Sequence, residues 1–124
     1  MRANRACLAR GVLVGVVILV VIGSLLPGQW EFEAAPIWFN AAHVPAYFLL
    51  TALGVWCGTA CSRAGSYRLL SIGAAVYLFG LVVEALQPLV GRTFSMTDLA
   101  MNAVGVTAAL SFVWFVRCRP ISAS

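Results

Sequence analysis

Four long apolar runs, Gly11–Leu26, Ala41–Ala60, Leu69–Leu86 and Leu99–Val116, occupy more than half of this chain and restrict its solvent before any motif is considered. A helix that crosses a bilayer needs about 20 predominantly apolar residues, with about 17 as the practical minimum. Each run reaches that length once its flanks are added. A water-soluble domain carries roughly 25% charged residues, whereas only 10% of this sequence is charged and 62% is hydrophobic. The bilayer is therefore the expected solvent. The runs show no sustained alternation of period 2, which argues against a membrane barrel. The expected fold class is all-α, an integral membrane four-helix bundle forming one domain over 1–124, with helices at about 9–27, 41–60, 69–88 and 97–117.

The first run follows Arg2, Arg5 and Arg10, the arrangement of a signal peptide's basic leader. Its apolar stretch is longer than a usual signal core and no A-x-A cleavage pattern follows, so a retained helix is expected. All eight basic residues are arginines, and the alternation of four spans puts seven of them on one side, Arg92 alone on the other. Basic loops stay in the cytoplasm. Both termini are thus expected to be cytoplasmic in a multi-pass protein. The net charge of +4 follows from that asymmetry, and with no basic run or aromatic RNA-reading motif it points to no nucleic-acid partner. Cys7, Cys57, Cys61 and Cys118 fall on the cytoplasmic side, where thiols stay reduced, so no disulfide is expected. Cys57 and Cys61 share a helical face without completing a zinc ligand set and are expected to pack.

The segment "PGQWEFEAAPIWFN" is broken by Pro27, Gly28 and Pro36, and its Trp30, Phe32, Trp38 and Phe39 suit the membrane–water boundary. Gly11 with Gly15, Gly54 with Gly58 and Gly105 with Ala109 make small-xxx-small pairs, which let helix backbones approach closely.

Polar side chains concentrate at three helix ends. Asn40, His43 and Tyr47 share one face where the second helix opens, so that Pro45 falls in its tolerant first turn. Glu84 and Gln87 share a face at the end of the third helix, and Asp98 and Asn102 at the start of the fourth. All lie on the side opposite the termini, as do Glu31 and Glu33. Ionisable groups at membrane depth cost at least about 2.5 kcal/mol on insertion scales. They should therefore face one another or a wet cavity. Each has a structural role open to it: Ser95 and Asp98 have capping-box spacing, Gln87, Asn102 and His43 can bond between helices, and Glu84 and Arg92 can pair. Together, His43, Glu84 and Asp98 are also enough for acid–base chemistry. Arg92, with Gln87, Asn102, Tyr47 and Asn40, could bind an anionic, phosphorylated lipid headgroup. A metal site built from the histidine, a Glu and an Asp is conceivable, but with a single histidine in the chain none is assigned, and the cofactor is left unknown.

The stretches "HVPAYFLL" and "EALQPLVGRTFSMTDLAMNAVG", with this hydropathy, resemble the VanZ-like family of small bacterial membrane proteins. That family's pattern is a His with a nearby aromatic, Glu-x-x-Gln, an Arg, then Asp-x-x-x-Asn-x-x-Gly. It matches here at His43, Tyr47, Glu84, Gln87, Arg92, Asp98, Asn102 and Gly105, over about residues 38 to 110. Phe39 and Asn40 stand where many members have an Asp-Lys pair, and Ala109 where a later glycine occurs. The resemblance implies a protein of the bacterial cell (inner) membrane with a cell-envelope role. Its namesake is associated with low-level resistance to teicoplanin-type glycopeptide antibiotics. The functional expectation is action at the outer face on an anionic envelope component, such as a lipid-linked precursor. The alternative is a non-enzymatic subunit of a membrane assembly.

Overall fold

The computed structural model describes residues 2–26, 36–59 and 65–118, with side chains placed at 8–26, 41–58 and 65–117. Four helices account for nearly all of them: α1 (Arg2–Leu25), α2 (Pro36–Thr59), α3 (Ser66–Leu86) and α4 (Met96–Cys118). The chain is an all-α four-helix bundle, and each helix contains a segment long and apolar enough to cross a membrane. Much of the apolar surface faces outward. Leu8, Leu19, Leu70, Leu78, Phe112 and Trp114 are all exposed, which only a lipid solvent makes inexpensive. The protein is thus a multi-pass membrane protein.

All four helices begin earlier than hydropathy suggests, α1 and α2 by the most, because helical backbone continues into flanks that the apolar count excludes. For α2 this changes the meaning of a proline. The helix starts at Pro36, where the fixed φ and missing N–H suit a first helical position, so Pro45 is in the interior and not in the first turn. Having no N–H, Pro45 leaves the Ala41 carbonyl without its usual acceptor role, two residues before His43. The helical start also places Trp38 and Phe39 on α2 and not in a connecting segment, and Asn40 on α2 as expected. Their side chains lie outside the described residues, as do Trp30, Glu31, Phe32 and Glu33, Cys7, Cys61 and Cys118.

Helix α2 is the hub, contacting the other three, and its most extensive partner is α4. Tyr47, Leu50 and Val106 form the buried core between them, with Val55 and Ala109 also enclosed. Lipid tails are as apolar as these side chains, so close packing and interhelical hydrogen bonds hold the helices together. Glycines set the spacing. A Cβ on Gly105 would lie 2.5 Å from the Val44 carbonyl oxygen and 3.0 Å from the Phe48 nitrogen, so α4 rests directly on the α2 backbone. On α2, Gly54 and Gly58 receive the Ile72 side chain of α3. Among the described residues, a Cβ on Gly11 or Gly15 would meet nothing within 4 Å; α1 docks instead through Leu13, Val16, Val17 and Val20.

Helix α3 ends in a sequence-coded stop. Gln87–Val90 tightens into a 3-10 turn with Pro88 near its start, and Gly91, at φ +79°, takes the left-handed conformation that closes it. The Arg92 N–H then donates to the Gln87 carbonyl at 3.1 Å. Four residues later α4 begins.

Candidate functional site

The C-terminal ends of α1 and α3 and the N-terminal ends of α2 and α4 meet at one end of the bundle. Arg10, Arg68 and Arg117 belong to the other end. At the polar end the structure brings His43, Glu84, Gln87, Asp98 and Asn102 together from three helices.

His43 is held from both sides of its ring. Its Nδ1 lies 2.8 Å from Asn102 Oδ1, and its Nε2 faces Asp98 Oδ2 at 3.7 Å. Tyr47, one turn along α2, stacks on the imidazole with ring planes 5° apart and centroids separated by 6.1 Å. Tyr47 is itself buried against Gly80 of α3. Any side chain at Gly80 would strike both Tyr47 and Asn102, so this glycine on α3 shapes the site without donating a polar group.

Glu84 is 1% exposed and orders the α3–α4 connection. Its Oε1 accepts from Gln87 Nε2 at 3.1 Å, and its Oε2 accepts from the Ser95 backbone N–H at 3.3 Å. Ser95 is the N-cap of α4: its Oγ accepts from the Asp98 N–H at 3.1 Å, and its carbonyl from the Leu99 N–H at 3.2 Å. In a capping box, the residue at the position of Asp98 would take the Ser95 N–H. Here Glu84 of the preceding helix takes it, and the Asp98 carboxylate is directed toward His43.

Arg92 is oriented toward α1. Its Nη1 donates to the carbonyls of Ser24, at 3.3 Å, and Gly23, at 3.4 Å, which lie in the last turn of that helix and have no acceptor role within it. No sequence spacing pointed to Gly23 and Ser24; a small residue beside a helix's last carbonyls leaves them accessible to a guanidinium, which is the only local signal present.

These side chains form two layers. Glu84, Gln87, Asn102 and Tyr47 are buried, each 1% exposed or less. His43, Arg92 and Asp98 instead line a groove of about 440 Å³ between α1 and α2, whose walls include Leu19, Val20, Ala46 and Leu49. Leu19 and Leu49 are exposed on the lipid-facing surface, so the groove opens sideways into the membrane. One polar atom is unaccounted for: Asn102 Nδ2 is buried and has no hydrogen-bond partner among the described residues.

The fold and site define a membrane-embedded helical bundle with a polar head and an apolar lateral groove. No family model, curated protein or solved structure matches this chain.

Proposed function

We propose that this protein binds an anionic amphiphile, a lipid-linked or phosphorylated envelope component, in the groove between α1 and α2 at the outer face of a bacterial cell membrane. One observation carries the reading. The groove combines an apolar channel open to lipid with His43, Arg92 and Asp98 at its polar end, so a chain can lie along Leu19, Val20, Ala46 and Leu49 while an anionic head meets Arg92 and His43, the latter backed by Asp98. Arginine and histidine supply the donors such a head requires. The crowding of arginines at the opposite end supports cytoplasmic termini and an outward-facing polar end. The resemblance to VanZ-like proteins supports an envelope role and, with it, protection against teicoplanin-type antibiotics.

The assembly-subunit alternative draws support from the buried layer, where Glu84 is bonded to Gln87 and Ser95 within the bundle. That network accounts for the inner layer and leaves the groove unexplained. A transport path has weaker support: Thr51, Ser71 and Thr107, in the rest of the bundle, donate to their own helix backbone.

The test is equilibrium binding of a polyprenyl phosphate and of phosphatidylcholine to the purified chain by native mass spectrometry, with Ala46→Trp filling the groove. Selective retention of the phosphate lipid by the native chain, lost in Ala46→Trp, is the expected result. Equal retention of both lipids, or retention unaffected by the tryptophan, contradicts the proposal. In cells, matched membrane levels of the native chain and Ala46→Trp should differ in teicoplanin protection.

A further inference from the structure

We infer that His43, Glu84 and Asp98 bind one divalent cation at the polar end of the bundle. A lone histidine in the sequence argues against an ion; the geometry argues for one. Three helices each contribute one ligand atom, and the three atoms lie within 4.8 Å of one another. Two ligands about 2.1 Å from a shared ion stand about 3.4 Å apart at a tetrahedral angle. His43 Nε2 and Asp98 Oδ2, at 3.7 Å, are close to that separation. Since no pair exceeds 4.8 Å, closing on an ion takes side-chain movement on the order of 1 Å.

The groups around the three residues are arranged as metal ligands require. Asn102 Oδ1 can only accept, so the hydrogen bond at 2.8 Å places the proton of neutral His43 on Nδ1. The Nε2 lone pair then faces the Asp98 carboxylate. An arrangement of this kind is held by a proton on Nε2 or by a metal cation between the two atoms, and the third ligand atom, on Glu84, favours the metal. A histidine that binds metal through one nitrogen while donating its other N–H to a fixed acceptor is the usual arrangement, and ligating carboxylates are likewise held by hydrogen bonds. Glu84 is held in this way by Gln87 and Ser95, and its two oxygens retain acceptor capacity beyond those bonds.

Charge points the same way. With neutral histidine and both carboxylates ionised, as metal ligands are, the carboxylates outweigh the Arg92 guanidinium by one negative charge in a mostly buried site. A divalent cation makes the site net positive by one, and three protein ligands leave coordination positions open. His43 and Asp98 line the groove, so those positions can receive water or a phosphate oxygen. One imidazole and two carboxylates suit Mn²⁺ or Zn²⁺. The ion site rests on its own geometry, and only its service to an anionic head rests on the function proposed above.

The experiment is Mn²⁺ titration of the purified, untagged full chain in detergent, followed by electron paramagnetic resonance, with Zn²⁺ as competitor. Mn²⁺ is an oxygen-preferring ion that avoids the cysteine thiols. One Mn²⁺ per chain is expected, displaced by Zn²⁺ and weakened at least tenfold in Glu84→Gln and in Asp98→Asn at unchanged helicity. Should both variants misfold, the native chain still decides. His43 is its only histidine, so Zn²⁺ must shift one imidazole ¹⁵N signal, that of Nε2. A folded native chain that binds neither ion at millimolar concentration, or folded variants that bind like the native chain, overturns the site. Retention of polyprenyl phosphate by a chain that binds no ion overturns the ion and leaves the groove reading standing. Ion binding without lipid retention does the reverse.

Discussion

The Ser95 backbone N–H donates to Glu84 Oε2 at 3.3 Å, joining the first residue of one helix's cap to the carboxylate that ends another. Through this bond α3 helps to cap α4, and Asp98, which the spacing with Ser95 suits for that role, faces His43 instead. The same short connection thus fixes the fold locally and sets the chemistry of the polar end.

Removing the Glu84 side chain should show the structural half of that statement. Glu84→Ala leaves the Gln87 amide and the Ser95 N–H without their acceptor in the bundle interior. Each orphaned donor costs about 1–3 kcal/mol, so a loss of about 2–6 kcal/mol is expected. Glu84→Gln keeps one acceptor oxygen and should lose less than half as much. Reversible unfolding in mixed micelles measures both.

Asn102→Leu should separate stability from site geometry. It removes the acceptor that fixes His43 Nδ1, a bond worth about 1 kcal/mol, and also removes the buried, unpartnered Nδ2. These effects oppose, and the unfolding free energy should change by less than about 1 kcal/mol. Orientation of the imidazole is lost all the same. Polyprenyl phosphate retention should fall at least tenfold in a protein that melts nearly as the native chain does.

Glycines predict a contrast between helices. Gly105→Ala forces a methyl into the α2 backbone at Val44 and Phe48, atoms that cannot move aside singly. Overpacking of this kind costs about 1–3 kcal/mol or more. Gly11→Ala and Gly15→Ala meet open space and should be neutral or stabilising by up to about 1 kcal/mol through helix propensity. Thermal melting of the three variants in one detergent tests the order.

Arg92→Ala should loosen α1 selectively. Its donation to the Gly23 and Ser24 carbonyls ties the α3–α4 connection to the end of α1. Without it, amide exchange should rise in the last turn of α1 and remain slow at Leu50 and Val106 in the α2–α4 core. Hydrogen-exchange mass spectrometry distinguishes this from uniform loosening of the bundle.

The four spans were legible because bilayer thickness imposes a length that apolar runs must meet, and the runs here meet it. The meeting of His43, Glu84, Asp98 and Asn102 at one end was legible for a related reason: polar groups at three helix ends on one side of the membrane have few places to go. Details that depend on helix rotation were not. Nothing in the spacing of Gly80 announces that it makes room for Tyr47 and Asn102, and nothing in the Gly11–Gly15 pair announces that it meets none of the described residues. Pro45 was misplaced because apolar content begins later than helical backbone in α2. The Glu84–Ser95 bond was hidden because capping rules are local, whereas the acceptor comes from 11 residues upstream in another helix. The α1 side of the groove was hidden by the uniform apolarity of α1, which carries no period to show which face docks.

The most direct test of the central claim is photo-crosslinking with a polyprenyl phosphate that carries a diazirine midway along its chain, in vesicles containing the full protein. Peptide mapping should place the adducts on α1 near Leu19 and on α2 near Leu49, with excess unlabelled polyprenyl phosphate abolishing them. Adducts spread over the outward faces of α3 and α4, or adducts that persist under competition, would contradict the account.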